Sequence, residues 1–413
     1  MQVTIEKLVY GGAGLARTER GVVFVPRTAP GDVVEIEIGQ QKKDYATARV
    51  CKIIEPSPDR QNPSCPNYET AGCCHWQHIR YERQVDYKES IIRETLKRIA
   101  HLEFTGPIQR ITGNDTGYRM RATFHVRSGK LGFVRENSNV VVPIRECAAL
   151  MPELNQFIPS ANEVISSAQF ERLEEVEVAA GPTIAATLRF PGEQANPGWE
   201  QMRDRFFEIP GLAALTFVVG SRRLHYQKQP PVIEAHGNKY ELSSDSFFQA
   251  NRFLLDRFIA EVVQQAGTTP ADVLELFCGS GFFSIPLASV HRQLIGVETN
   301  PLAVRQARDN AKMNGVWNTE FAIGQVDATL ASADVHPGVL VLNPPRVGAG
   351  PKVAERIAAM KAPRVVYVSC NPTTFGREAV ILLRNGYRLT RVTMVDQFPN
   401  TYHIELVALF ELE

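Results

Sequence analysis

The 413-residue chain is too long for one ordinary hydrophobic core, and its 44% hydrophobic and 22% charged residues fit a globular protein of two or three domains. No run of 18 apolar residues occurs, and the start Met1-Gln-Val-Thr-Ile-Glu-Lys7 lacks the charged-then-apolar build of a signal peptide; a membrane protein is not expected, and the cytoplasm is. Basic and acidic side chains balance at 45 each, which demands no polyanionic partner, yet residues 1–150 hold 22 basic against 17 acidic (+5) and the remainder carries −5, a tilt that permits nucleic-acid binding by the N-terminal half.

Along the chain, residues 1–55 alternate short apolar runs with glycine turns (3–5, 11–14, 21–26, 31–39, 46–50), which predicts a small β-barrel. Residues 55–63, Glu-Pro-Ser-Pro-Asp-Arg-Gln-Asn-Pro, read as a linker. Residues 56–245 are expected to form a central α+β domain with one helix near 87–101. From 246 to 413 strands alternate with helices, the signature of a doubly wound, mostly parallel sheet, so the fold class is α/β with a barrel and an α+β domain ahead of it. Seven cysteines without an export signal argue for thiol chemistry or metal ligation over disulfides.

The chemistry-bearing segments lie in the last region. Asp272-Val-Leu-Glu-Leu-Phe-Cys-Gly-Ser-Gly281 is a strand running into a glycine turn, where backbone amides can approach a ligand closely. The next strand, Gln293-Leu-Ile-Gly-Val-Glu298, ends in an acid 19 residues beyond Gly279, the residue type that takes ribose hydroxyls. A pyrophosphate site would want a third glycine where Ser284 stands, which favours S-adenosylmethionine over a dinucleotide. Val339-Leu-Val-Leu-Asn-Pro-Pro-Arg346 and Val365-Val-Tyr-Val-Ser-Cys-Asn-Pro372 are further strands that end in polar turns, the second placing Cys370 at a carboxyl strand end. Alone, a free cysteine is more often a buried structural residue than a reactive one. Val395-Asp-Gln-Phe-Pro-Asn-Thr-Tyr-His-Ile-Glu-Leu406 would set His403 and Glu405 on one face of a strand.

In this order, Ser246-Phe-Phe-Gln-Ala-Asn251, Leu276-Phe-Cys-Gly-Ser-Gly281, Pro344-Pro-Arg-Val-Gly348, Ser369-Cys-Asn-Pro372 and Asp396-x-Phe-Pro-x-Thr-x-His-x-Glu405 give a chain that resembles the S-adenosylmethionine-dependent RNA uracil-5-methyltransferases over essentially its whole length. The first 55 residues resemble the TRAM barrel that precedes the enzyme in the ribosomal-RNA branch. The resemblance implies a Rossmann-like methyltransferase domain, 23S ribosomal RNA as substrate and no obligate protein partner. It makes Cys370 the nucleophile that adds to uracil carbon 6, because carbon 5 is itself a poor nucleophile, and Glu405 the base that later removes the carbon-5 hydrogen. It sets Gln249, Phe277, Gly279, Glu298, Asp327 and Asn343 around the cofactor, and lets Phe248 or Phe398 line the base pocket.

Two positions depart from the family pattern. Asn343 stands where the family has Asp, so charge is lost and a donor gained. Relatives with a 4Fe-4S cluster carry C-x5-C-x2-C and a distant fourth cysteine; here Cys65, Cys74 and Cys147 match, the remaining position is Ala71, and Cys73 is the spare thiol. Three alternatives stay open on sequence alone: a transfer-RNA uracil-5-methyltransferase, an amino-methyltransferase using Asn343-Pro-Pro, and an RNA-binding protein without catalysis.

Overall fold

The computed structural model describes residues 1–136, 138–167, 173–192, 199–332 and 336–413. Among them the N-terminal strands Gln2–Thr4, Lys7–Leu8, Gly14–Thr18, Gly21–Val25, Val33–Gln41 and Tyr45–Glu55 form one small barrel-like sheet. Period-two alternation turns Val3, Ala16, Val23, Val25, Val34, Ile36, Ala46 and Ala48 inward to make its own core. The turn before Gly14 needs Gly11 and Gly12, whose φ values are +103° and +94°.

The middle of the chain builds a second sheet, in spatial order Val141–Pro143, Lys130–Val134, Arg121–Arg127, Glu175–Ala180, Ile184–Phe190, Leu212–Val219, Arg222–Gln227. Phe124, Phe157, Phe206 and Phe217 fill the space between it and the helices Pro152–Ser167 and Trp199–Phe207.

The C-terminal sheet runs Thr319–Ile323, Gln293–Glu298, Asp272–Leu276, Val339–Leu342, Arg364–Ser369, Glu405–Leu412, Tyr387–Val395, Ile108–Ile111, parallel throughout except for Glu405–Leu412. Its central strands are unbroken apolar runs because helices cover both faces; Val339–Leu342 is buried at every residue. This is the doubly wound α/β architecture expected of the last region, behind an N-terminal small barrel and a central mixed unit.

The helix expected near 87–101 spans Tyr81–Arg98, and its partner is the C-terminal sheet's helix Pro372–Arg384, not the central sheet. Its buried stripe, Val85, Ile91, Ile92 and Leu96, joins one core with Val365, Phe375 and Leu382. Strand Ile108–Ile111 likewise pairs with Tyr387–Val395 at the sheet's edge. Among the described residues no helix is long and apolar enough to cross a membrane.

Candidate active site

Cys370 is the first residue past strand Arg364–Ser369. It is half-buried, and helix Pro372–Arg384 starts immediately beyond it, where Asn371 Oδ1 accepts from the Thr373 amide at 3.0 Å and Pro372 takes the first helical position. Ser369 pairs with Leu406 across the antiparallel ladder, so Cys370 and Glu405 both adjoin its last rung, near enough for the Glu405 charge to act on the thiol. That strand begins at Glu405 itself. His403 lies in irregular backbone between the bend at 401–402 and that strand, its amide held by Thr401 Oγ1 at 3.2 Å, so the strand-face alternation that grouped His403 with Glu405 does not extend to it.

The electrostatics of this corner follow from burial. Glu405 is 7% exposed, and burial pushes its carboxyl up to about 8 against the pull of Arg346. Burial, then the charge of Glu405, pushes the Cys370 thiol up to about 12, again with Arg346 pulling down. Burial, then Arg346 and neighbouring cations, lowers His403 to about 3, which keeps its ring neutral. Arg346 is therefore the cation common to the corner. Asn371 Nδ2 ties the two loops by donating to the Arg346 carbonyl at 2.9 Å.

The loop leading to Glu405 is clamped by helix Tyr81–Arg98. Lys88 and Asp396, both fully buried, pair at 2.6 Å; Lys88 also donates to the Phe398 carbonyl at 3.0 Å, and Tyr81 Oη to Asp396 at 2.9 Å. Gln84 and Asn400 exchange a side-chain donor and a backbone amide, each at 2.9 Å. Sequence reasoning missed Lys88 and Gln84; a lysine and a glutamine breaking an otherwise apolar helical stripe was the available signal.

The expected cofactor residues lie along the same rim. Phe277 adopts φ +61° and Gly279 φ +55° at the end of strand Asp272–Leu276. Glu298 Oε2 accepts from the Gly279 amide at 3.2 Å, while its Oε1 accepts from Thr299 and Asn300 amides at 2.7 and 2.9 Å. Asn343 ends the next strand, half-buried, its amide on the Leu276 carbonyl at 3.2 Å. Across the sheet, Glu298, Phe277, Asn343, Cys370 and Glu405 occupy five adjacent strand ends on one edge. Gln249 is buried at 6% exposure in the loop after the central unit. Asp327, in the first turn of helix Val326–Ser332, accepts from Arg356 Nε at 2.6 Å. Of the two aromatic residues expected near the base, Phe248 is 4% exposed and packed between Tyr240 and Phe282 in the core, whereas Phe398 is half-buried with its ring 5.6 Å from that of His403.

All seven cysteines are free thiols. Cys65, Cys73, Cys74 and Cys147 come into one neighbourhood: Cys73 and Cys74 sulfurs lie 4.0 Å apart, their hydrogen bond draws the Cys73 thiol down to about 7, and Cys147, pushed up to about 11 by burial, also feels Cys73 and Cys65. Among the described residues, however, no three or more His, Cys, Asp or Glu side chains gather closely enough to hold a metal ion. The donor set suits an iron–sulfur cluster in chemistry but does not assemble around one point, and no step of the chemistry is derived through it.

Known proteins share sequence and fold with this chain. Residues 1–58 match the family model of the tRNA (uracil(54)-C(5))-methyltransferase TRAM domain, and residues 224–335 and 326–412 that of tRNA (uracil-5-)-methyltransferase. An uncharacterized RNA methyltransferase of Aquifex aeolicus is 33% identical over 100% of this chain and 99% of its own length. The 23S rRNA (uracil(1939)-C(5))-methyltransferases of Vibrio cholerae and Shewanella amazonensis are 32% and 34% identical over 99% of this chain and 95% of theirs. The crystal structure of Pyrococcus abyssi tRNA (uracil-54, C5)-methyltransferase, in complex with S-adenosyl-L-homocysteine, shares the fold with a TM-score of 0.77 at 23% identity, covering 99% of this chain and 100% of that one. Full-length kinship at this level makes the chain a member of the S-adenosylmethionine-dependent RNA uracil-5-methyltransferases, with a TRAM barrel at its N-terminal end.

Proposed function

We propose that this enzyme forms 5-methyluridine in 23S ribosomal RNA, with Cys370 as nucleophile and Glu405 as base. The observation that carries the reading is the nearness of Cys370 to Glu405 on the rim that also bears the glycine turn, Glu298 and Asn343; the full-length ribosomal-RNA relatives support the substrate. That substrate also favours the cytoplasm as the place of action.

The Cys370 sulfur, once ionised, adds to carbon 6 of the uracil and turns carbon 5 into an enolate carbon able to attack a methyl group. S-adenosylmethionine supplies that methyl group from a cationic sulfur. Glu405 then takes the hydrogen from carbon 5, and Cys370 leaves by elimination, restoring the 5,6 double bond. A carboxyl held at about 8 suits proton abstraction near neutral pH. Arg346 favours the ionised form of both groups. For the cofactor, Gln249, Phe277, Gly279 and Asn343 are the proposed contacts, and Glu298 Oε2, which among the described residues accepts the Gly279 amide alone, has a lone pair left for a ribose hydroxyl. Asp327 would have to release Arg356 to join them.

The test is Cys370→Ala: methyl transfer to 23S ribosomal RNA is expected to vanish together with the covalent adduct on 5-fluorouridine RNA, and undiminished methylation would refute the role. The family's cysteine pattern, which Cys65, Cys74 and Cys147 match with Cys73 as the spare thiol, extends the reading to a 4Fe-4S cluster that these four side chains would have to draw together to bind. Protein purified without oxygen should then carry iron and acid-labile sulfide in equal amounts, and Cys147→Ala should lose them; iron-free protein in which all four thiols react with a thiol reagent would refute it.

A further inference from the structure

A run of rings extends away from the catalytic corner toward the barrel. Phe398 lies 5.6 Å from His403, His403 lies 4.4 Å from Tyr402, and Tyr402 lies 4.6 Å from His75 and 5.9 Å from Tyr10. The rings come from three separate segments: the barrel turn, the cysteine-rich loop and the segment before Glu405. Tyr10 Oη donates to the Cys370 carbonyl at 3.3 Å, so the far end of the run returns to the nucleophile's own backbone. The barrel approaches this closely because residue 12 is glycine; a Cβ there would stand 2.8 Å from Tyr402 Cδ1.

Three properties set these rings apart from ordinary core. Tyr10, His75, Tyr402 and His403 are all half-buried, so each keeps part of its surface for a ligand. Two of them are held uncharged near neutral pH: burial lowers His403 and, with the charge of Cys370, raises Tyr10 to about 12. The run includes His403, two residues before Glu405, and ends at Tyr10, which bonds the Cys370 carbonyl. Aromatic π-faces suit a nucleobase and offer little to a phosphate.

We propose that Tyr402, with His75 and Tyr10, forms a stacking site for the unpaired base next to the target uridine, so that the barrel and cysteine loop help hold the RNA strand open at the reacting position. This rests on the reading of Cys370 and Glu405 above. The occupant is a base of any identity, since stacking is tolerant of sequence.

The experiment uses the full-length protein and a hairpin RNA bearing 2-aminopurine on one side or the other of the uridine that the wild type methylates. Binding should quench 2-aminopurine at one of the two positions. Tyr402→Leu and His75→Ala should each lose most of that quenching and raise the KM for RNA roughly ten-fold, the usual scale for losing one stacked base, and still form 5-methyluridine at saturating RNA. Tyr402→Phe should rescue the loss seen in Tyr402→Leu. Wild-type quenching and KM in both loss variants would overturn the proposal, as would equal loss in Tyr402→Leu and Tyr402→Phe. A wild-type protein that makes no 5-methyluridine, or a Cys370→Ala protein that still does, would instead defeat the functional reading while leaving the stacking result to stand by itself.

Discussion

Glu405 is the residue whose environment most directly constrains the chemistry. Its carboxyl moves from 4.5 to about 8 because it is buried, so between those values the folded chain holds a proton that the unfolded chain has released. Its protonation therefore favours folding fully below 4.5, and that contribution is lost as pH rises through about 8. Glutamine has the same shape and nothing to ionise. Glu405→Gln should match the wild type in melting temperature near pH 4 and exceed it near pH 9 by the equivalent of a few kcal/mol, since each tenfold change in a group's proton affinity is worth about 1.4 kcal/mol. Glu275, also pushed up to about 8 by burial, contributes equally to both proteins and cancels. Calorimetry at the two pH values decides the matter; equal melting near pH 9 would mean that Glu405 ionises without penalty and is not the enclosed base described.

At the scale of elements, the helix Tyr81–Arg98 links what the chain order separates. Lys88 sits in its apolar stripe and is fully buried, which is tolerable only because Asp396, the Phe398 carbonyl and a good hydrogen-bond geometry receive it. Removing one partner strands the other: Lys88→Met should destabilise the protein by about 3–5 kcal/mol, and Asp396→Asn in the same chain should recover much of that. Urea unfolding of the two single variants and the double variant measures it, and an additive double variant would contradict the coupling. The same helix shows what a sequence can reveal. Its existence follows from periodicity, and the strand ends bearing Glu298, Asn343 and Cys370 follow from apolar runs stopped by glycine, proline and asparagine. Its partner does not follow, because an apolar stripe specifies that a face is buried and not against which sheet. Phe248 was misplaced for the same reason: of two adjacent phenylalanines, Phe247 is 71% exposed and Phe248 is core, and composition cannot choose between them. The bend before Glu405 was hidden because the alternation Tyr-His-Ile-Glu-Leu looks like strand until Asn400, at φ +64°, turns the chain.

For the whole molecule the question is whether the barrel is an RNA-binding appendage or a wall of the enzyme. It has a core of its own, yet Leu8 and Ala29 are buried in the core shared with the C-terminal sheet. Trp76, fully buried, donates its indole proton to the Gly12 carbonyl at 3.0 Å. Asp32 of the barrel accepts two bonds from Arg60, each at 2.8 Å, and Lys7 pairs with Glu94 of the helix that clamps the loop before Glu405. Deleting residues 1–55 would expose the seat of Leu8, leave the indole of Trp76 without its acceptor and remove the Tyr10 bond to Cys370. The shortened chain should therefore melt at lower temperature and show a lower kcat at saturating RNA, even on a short hairpin carrying the target uridine. A barrel that served only to increase affinity would behave differently: the truncated enzyme would keep its kcat and melting temperature and need only more RNA, with the deficit confined to KM.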